Sequence, residues 1–154
     1  MPIKPNFTRA DIERRFSKFL DVIENKILER LQYLGEKCVA HARQVPAGSG
    51  FTDQTGNLRS SIGYAIFKDG RAIHASYEKV KDGSDGVKAG QELAQQVAEN
   101  YPKGYLLVVT AGMNYAVKLE SKGKDVLTSA ELLAKRELPR MVEELKDNVY
   151  KALR

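Results

Sequence analysis

Apolar residues recur at steps of three and four along residues 8–43, and charged residues fill most positions between them. Spacing of this kind predicts one amphipathic helix. Thr8 is suited to cap its N-terminus, and Asp11 and Glu13 place negative charge in the first turns, where the helix dipole favours it. The apolar stripe consists of Ile12, Phe16, Phe19, Leu20, Ile23, Ile27, Leu31, Leu34, Cys38 and Ala42.

The predicted helix is long for its domain. Unbroken, it would extend about 54 Å, whereas a domain of this size has a radius of gyration of about 15 Å. The helix therefore either bends, with Gly35 as the weakest point, or extends beyond its own domain and packs on another subunit. We favour the second alternative.

An alternating strand pattern follows in the middle of the chain. Ile62–Lys68 and Arg71–Tyr77 flank Asp69-Gly70, a dipeptide typical of a two-residue type I′ hairpin turn. Pairing around this turn sets residue 66 opposite 73 and residue 64 opposite 75. One face of the hairpin would then be apolar, with Ile62, Tyr64, Ile66, Ile73, Ala75 and Tyr77. The other face would be small-sided and weakly polar, with Gly63, Ala65, Phe67, Ala72, His74 and Ser76.

The segment after the hairpin predicts a loop, a helix and a strand. Residues 81–90 contain Gly and Asp at high density and predict a flexible loop. Residues 91–101 predict a short helix that Pro102 stops. Residues 104–111 are the most β-prone run and are apolar on both faces, which predicts a central strand covered on both sides.

The C-terminal part predicts a short edge strand at residues 124–127 and a last helix that begins with a capping-box pattern at residues 128–131. Pro139 must kink or restart this helix. The chain thus predicts a single α+β domain over residues 1–154, with an N-terminal arm at residues 1–7. Its sheet would be antiparallel, with three or four strands and a short helix inserted between the second and third.

Composition fits a soluble globular protein, with 42% hydrophobic and 29% charged residues. No apolar run approaches the roughly 20 residues that cross a bilayer. The first residues lack the apolar segment of a signal peptide, so we expect the protein to stay in the cytoplasm of the cell that makes it. The single cysteine, Cys38, excludes an intrachain disulfide and is expected to be buried.

The net charge of +5 is spread along the chain. Residues 1–45 carry nine basic and six acidic groups, residues 46–128 carry ten and nine, and residues 129–154 carry six and five. A nucleic-acid-binding protein usually concentrates Lys and Arg on one face. The pattern favours a mixed, solvated surface.

No catalytic or metal-binding pattern emerges, and we predict no enzyme activity, cofactor or metal. A triad of Ser60 or Ser61 with His74 and Asp53 can be drawn, but the strand–turn–helix elbow of a nucleophilic serine is missing. His41 lies in a different element from His74, and no third metal ligand accompanies them. Neither a phosphate-binding loop nor a calcium loop is present, and a carboxylate pair of Glu120 and Asp125 fits a surface ion-pair role better than catalysis.

Two blocks of the chain follow recognisable motifs. The first is Thr55-Gly56-Asn57-Leu58-Arg59-Ser60-Ser61-Ile62, which fits T-G-x-L-[RK]-x-S-[IL], and the second is the segment of residues 112–123, GMNYAVKLESKG, which fits G-x-x-Y-A-x-x-[LV]-E-x-x-G. In this order the two blocks resemble the minor tail-component proteins of long-tailed bacteriophages. The two blocks cover about an eighth of the chain. The insertion at residues 81–101 is longer than in the family.

The resemblance implies a non-enzymatic virion protein, encoded by a phage or a prophage, that acts in tail completion or head–tail joining. Such a protein assembles in the host cytoplasm into a ring, with six subunits by analogy, and contacts tail-tube or head–tail connector proteins at the virion neck or tail. The residues that would anchor the two blocks structurally are Thr55, Gly56, Leu58, Ser61, Ile62, Tyr115 and Ala116. The interface candidates are Arg59, Lys118, Glu120 and Lys122, with a possible Arg59–Glu120 ion pair between subunits.

Two other classes stay open. One is a small nucleic-acid-associated accessory protein of phage packaging, and the other is a small hydrolase whose activity would depend on His74. Independently of the resemblance, the overlong helix, the strand that is apolar on both faces and the small-sided hairpin face all need cover. Exposed apolar surface of this kind usually marks protein–protein contact.

Overall fold

The computed structural model describes residues 2–44, 53, 55–113 and 116–154, apart from the side chain of Lys118. It confirms an α+β fold with a long N-terminal helix, a three-stranded antiparallel sheet, an inserted helix and a C-terminal helix. The elements are α1 (Arg9–Arg43), α2 (Asn57–Ser61), β1 (Ile62–Lys68), β2 (Arg71–Tyr77), α3 (Ser84–Ala98), β3 (Tyr105–Ala111), α4 (Ala116–Ser121) and α5 (Thr128–Ala152).

Helix α1 begins where the sequence predicts. The Thr8 hydroxyl accepts a hydrogen bond from the Asp11 backbone N–H at 3.2 Å, and the Asp11 carboxylate accepts one from the Thr8 N–H at 2.8 Å, which completes a capping box. The helix is continuous through Gly35. A Cβ at Gly35 would lie 2.5 Å from the Tyr64 ring, so this glycine permits close contact with the sheet and does not end the helix.

The strand order is β2-β1-β3, so the central strand is β1 and the prediction that residues 104–111 form the central strand is wrong. Six of the seven β1 residues are buried. Strand β3 lies at an edge, yet helices pack on both of its faces, α1 on one and α3 on the other. A strand that is apolar on both faces is expected to be covered by other elements on both faces. This pattern does not determine whether the strand lies at the centre or at the edge of the sheet.

The hairpin turn is confirmed, but the predicted register holds only next to it. Asp69 and Gly70 both have positive φ, 50° and 81°, as a type I′ turn requires. Beyond the pair Phe67–Ala72 the register shifts by one residue, so Ile66 pairs with His74. The extra residue is Ile73, which is 43% exposed.

This bulge exchanges the faces of β2. Because side chains alternate along a strand, one extra residue sends every later side chain to the opposite face. Ser76 now pairs with Tyr64, and Ala75 pairs with Ala65. His74 and Ser76 therefore share the face of Tyr64, and Ala75 and Tyr77 share the face of Ala65 and Phe67, contrary to the prediction.

Helix α3 covers the small-sided face that we expected to need a partner. It starts at Ser84, so the predicted flexible loop at residues 81–90 is wrong over most of its length, and it ends at Ala98, before the predicted end. Glycines are typical of loops, and for that reason the sequence predicts a loop here. In the structure, two of them lie inside the helix and allow close packing. A Cβ at Gly86 would lie 2.0 Å from the Asn57 carbonyl oxygen, and one at Gly90 would lie 2.5 Å from that of Ser61.

Helix α5 packs antiparallel to α1. Arg30 contacts Glu144 at 2.9 Å, and Lys37 contacts Glu137 at 3.3 Å. The helix continues through Pro139, so it does not restart there; a kink at this residue stays a prediction. Within the described residues, residues 124–127 form no strand. The predicted capping box at residues 128–131 is not formed, because the N-cap residue is Leu127 and not Thr128, and the Leu127 side chain makes no capping hydrogen bond.

The main core lies between α1, the sheet and α5. It includes the fully buried Leu58 and Ile62 together with residues from each of these layers. A second, smaller cluster lies between the sheet and α3 and consists of Ala65, Phe67, Ala94, Ala98 and Val108. Cys38 is buried in the main core, as predicted.

Candidate assembly surfaces

Asp53 organises the first sequence block. Its buried carboxylate accepts the backbone N–H of Gly56 at 3.0 Å and that of Arg59 at 2.7 Å. These donors belong to the first turn of α2, where backbone N–H groups have no helical partner. The Lys81 ammonium donates to the Asp53 carbonyl oxygen at 2.9 Å and ties the block to the following loop. This capping role of Asp53 was not predicted from the sequence, although an Asp just before a turn is a recognisable signal for it.

The polar residues of the first block also serve the backbone. The Ser60 hydroxyl accepts the N–H of Val80 at 2.7 Å and lies 3.2 Å from its carbonyl oxygen, and the Ser61 hydroxyl donates to the Leu58 carbonyl at 2.7 Å. Gly56 has φ of +80°, and a Cβ there would lie 2.1 Å from the Val80 carbonyl oxygen. Thr55 is exposed, and its hydroxyl accepts the Asn57 N–H at 3.3 Å.

The described residues do not form the catalytic triad considered in the sequence, in which Ser60 or Ser61 would act with His74 and Asp53. Both Asp53 carboxylate oxygens accept backbone N–H groups, and His74 contacts the Tyr64 hydroxyl at 3.1 Å. That hydroxyl donates its proton to Glu36 at 2.8 Å, so the contact with His74 requires Nε2 to carry the hydrogen. Burial, and then the bond to and charge of Glu36, raise the pKa of Tyr64 far above its ordinary value. The phenol keeps its proton, the opposite of what a nucleophile or base needs.

In the second block, Glu120 caps α5. Its carboxylate accepts the backbone N–H groups of Val126 at 3.0 Å, Leu127 at 2.6 Å and Thr128 at 3.1 Å, and the Thr128 hydroxyl at 2.7 Å. Burial by itself raises the pKa of Glu120, but these hydrogen bonds together outweigh it and leave the pKa below its ordinary value. Four donors of its own chain therefore occupy the carboxylate proposed to pair with Arg59 of another subunit.

The structure places the other block residues as follows. Ala116 is buried in the main core, and Lys122 is exposed just after α4. Arg59 is half-buried in α2. Tyr115 lies outside the described residues, as does the side chain of Lys118. The four interface candidates therefore do not form one demonstrated surface.

The N-terminal part of α1 carries unburied apolar side chains. The buried residues of α1 begin only at Leu34, and the hairpin reaches the helix at an ion pair between Lys68 and Glu24. In residues 7–20, which we call the tip, Ile12 is 53%, Phe16 62% and Leu20 45% exposed. The three lie four residues apart, so they form one row along the helix.

A second apolar surface is a groove of about 550 Å³ between α1, β3 and α5. We call it the groove. Its lining includes Leu34 and Cys38 of α1 and Leu107 and Val109 of β3. The remaining lining residues are Leu31, Tyr105, Leu106, Leu127, Ala130, Glu131, Ala134 and Leu138. Among the described strands, β3 pairs only with β1, so its outer edge is unpaired.

Comparison of the chain with family models, curated proteins and solved structures returned no match. Within the part of the chain that is described, no helix combines the length and apolar character needed to span a membrane. In the same residues, no group of three or more His, Cys, Asp or Glu side chains is placed to hold a metal ion.

Proposed function

We propose that this protein is a non-enzymatic structural component of a phage or prophage virion, acting in tail completion or head–tail joining. It assembles with copies of itself, and with tail-tube or connector proteins, in the cytoplasm of the bacterial host. The observation that carries the self-assembly is the exposed apolar row of the α1 tip. The assignment to a virion neck or tail, and a ring of six subunits, rest on the resemblance of the two sequence blocks.

Solvent exposure of this row is unfavourable for an isolated subunit. Scattered single apolar side chains are normal on protein surfaces, but Ile12, Phe16 and Leu20 lie in one row on a helix that extends past the hairpin. A contiguous row of this kind, on a subunit that also carries a separate apolar groove, is typical of a protein that buries it against another protein.

The polar residues in and beside the two blocks support a structural role over a catalytic one. Asp53, Ser60, Ser61 and Glu120 all bond to backbone groups of their own chain. Satisfied in this way, they hold loops and helix ends in place. A hydrolase would instead need such groups directed at a substrate.

The packaging accessory alternative predicts DNA binding that weakens steeply with salt, since each phosphate contact releases a counterion. The basic residues of the tip offer limited support for it. Arg9 pairs with Glu13 at 3.1 Å and Arg14 pairs with Asp11 at 3.0 Å, which partly neutralises this surface. Gel-shift titrations at low and physiological salt separate the two functions.

The test of the proposed function has two stages. Light scattering after size exclusion should show assemblies larger than the 17.2 kDa subunit, and negative-stain electron microscopy should show rings. Deleting the gene from the phage or prophage that encodes the protein should then yield separate heads and tails. A protein that stays monomeric at every concentration, together with intact virions in the deletion strain, would overturn the proposal.

A further inference from the structure

We propose that the tip of one subunit docks into the groove of the next, so that subunits join head to tail. This inference rests on the proposed function and specifies the contact that self-assembly uses. The occupant of the groove is thus the row Ile12, Phe16 and Leu20 of a second copy.

A subunit cannot fill its own groove with its own tip. Leu31, Leu34 and Cys38, which form one wall of the groove, belong to the same continuous helix as the tip. Phe16 precedes Leu34 by 18 residues, or about 27 Å along a helix. A continuous helix holds these two surfaces apart, so another molecule must bring them together.

The two surfaces match in length and in kind. The row from Ile12 to Leu20 extends about 12 Å along its helix, and the wall from Leu31 to Cys38 extends about 10 Å. Recognition of an amphipathic helix in an apolar groove uses anchors at this spacing. The volume of about 550 Å³ can hold side chains of such a row, since ligand pockets of roughly 300–1,000 Å³ hold groups of comparable size.

The charges at the two surfaces are compatible with this pairing. Residues 9–20 carry four basic and two acidic groups, a net charge of +2. Glu131 is the one charged residue among the described residues that line the groove, and it pairs with Lys135 of its own helix at 2.6 Å, with both side chains exposed. Arg15 lies beside the apolar row at helical spacing, so it can join this exposed ion pair when the row is seated.

The N-terminal arm is a poorer occupant for the adjacent edge of β3. An added strand directs alternate N–H groups toward the edge it joins. Pro2 and Pro5 are three positions apart, so they belong to different sets of alternate residues. Whichever set directs its N–H groups toward β3, one proline lies in it and cannot donate a hydrogen bond. Helix docking avoids this loss.

Head-to-tail contact between identical subunits leaves one tip and one groove available at the ends of every chain of subunits. Such contacts close into rings when the rotation permits and otherwise grow as filaments. Pairing of two tips would instead produce a closed dimer and leave both grooves exposed. The two geometries therefore predict different assemblies.

The decisive experiment mixes two defective subunits. Phe16→Asp places a charge in the apolar row of the tip and leaves the groove intact. Leu138→Asp places a charge in the groove and leaves the tip intact. Phe16 is 62% and Leu138 43% exposed, so both variants should fold, which circular dichroism checks. The matched controls are Val22→Asp on α1 and Leu132→Asp on α5, which are exposed residues outside the row and the groove lining.

Each variant alone should be monomeric, the controls should assemble like the wild type, and an equimolar mixture should form a 1:1 dimer of twice the 17.2 kDa subunit mass. That dimer should not grow, because its remaining tip and groove are both defective. A mixture that stays monomeric, or a Leu138→Asp variant that assembles by itself, overturns the head-to-tail contact.

A cross-link provides a second measurement. In a Cys38→Ala background, Phe16→Cys mixed with Leu138→Cys should form a disulfide between subunits under mild oxidation, whereas Val22→Cys should not. Equal yields from the two pairs would contradict the contact. If the wild type assembles but these tests fail, self-assembly stands and only the contact is wrong. If the wild type never assembles, the proposed self-assembly fails and this contact fails with it.

Discussion

Replacing Glu120 tests whether the second sequence block is a structural element of the subunit. Glu120→Ala removes the acceptor of three backbone N–H groups and one hydroxyl at the start of α5. The change leaves the start of this 25-residue helix with the Asp125 carboxylate, which accepts the Ser129 N–H at 3.1 Å, but without the four bonds to Glu120. Because α5 packs along α1 and forms part of the main core, a loosened first turn lowers the stability of the whole domain.

The expected cost is about 2 kcal/mol in the free energy of unfolding. Loss of a helix cap costs roughly 0.5–2 kcal/mol, and hydrogen bonds to charged groups contribute about 1.5–3 kcal/mol each. The carboxylate is only half-buried, and water replaces part of what is lost, so the sum of four bonds overstates the effect. For a chain of this length, about 2 kcal/mol lowers Tm by roughly 4–8 °C.

The pH dependence follows from the lowered pKa of Glu120. A carboxylate whose pKa is lower in the folded state stabilises that state fully above its unfolded pKa, which is about 4.3 for a glutamate. This contribution is lost as the pH falls through the folded pKa. The difference in stability between wild type and Glu120→Ala should therefore be full at pH 7 and shrink as the pH falls below the unfolded pKa.

Urea unfolding followed by circular dichroism from pH 7 down to pH 3 measures this difference. Glu143→Ala is the control, since Glu143 makes a single exposed ion pair with Lys146 at 3.0 Å and should cost only a few tenths of a kcal/mol. Stability of Glu120→Ala within 0.5 kcal/mol of the wild type at pH 7, combined with a failure to assemble, would refute the reasoning and restore Glu120 as an interface residue.

Three further predictions concern the packing around the sheet. Asp53→Ala leaves two backbone N–H groups of a buried turn without their acceptor and should cost about 2–4 kcal/mol in urea unfolding; a loss below 1 kcal/mol would contradict the capping role. Gly86→Ala brings a Cβ to within 2.0 Å of the Asn57 carbonyl oxygen, so α3 must shift, and calorimetry should show a loss of about 1–3 kcal/mol; an unchanged Tm would show that the contact is looser. Tyr64→Phe removes the bond to Glu36 and should cost about 1–2 kcal/mol in urea unfolding without affecting assembly; loss of assembly with unchanged stability would count against its structural role.

The sequence alone determined the features that depend on neighbouring residues. The Thr8–Asp11 capping box lies within one turn, so local chemistry fixes where α1 begins. Asp69-Gly70 specifies its turn because both residues tolerate positive φ, and this too is local. The three- and four-residue spacing along α1 was enough to predict a helix longer than its own domain, together with the apolar row that the fold leaves exposed.

Only the tertiary structure decided the features that depend on distant contacts. The bulge at Ile73 lets Tyr77 reach the Gly90 carbonyl oxygen and the Thr110 hydroxyl on the α3 side of the sheet, at 3.2 Å and 2.8 Å. Helix α3 extends over Gly86 and Gly90, which read as loop in the sequence, because backbone groups elsewhere in the chain approach there more closely than a Cβ would allow. Strand order, cover of the sheet faces and the groove arise from segments tens of residues apart, and periodicity within one segment carries no information about which other segment will pack against it.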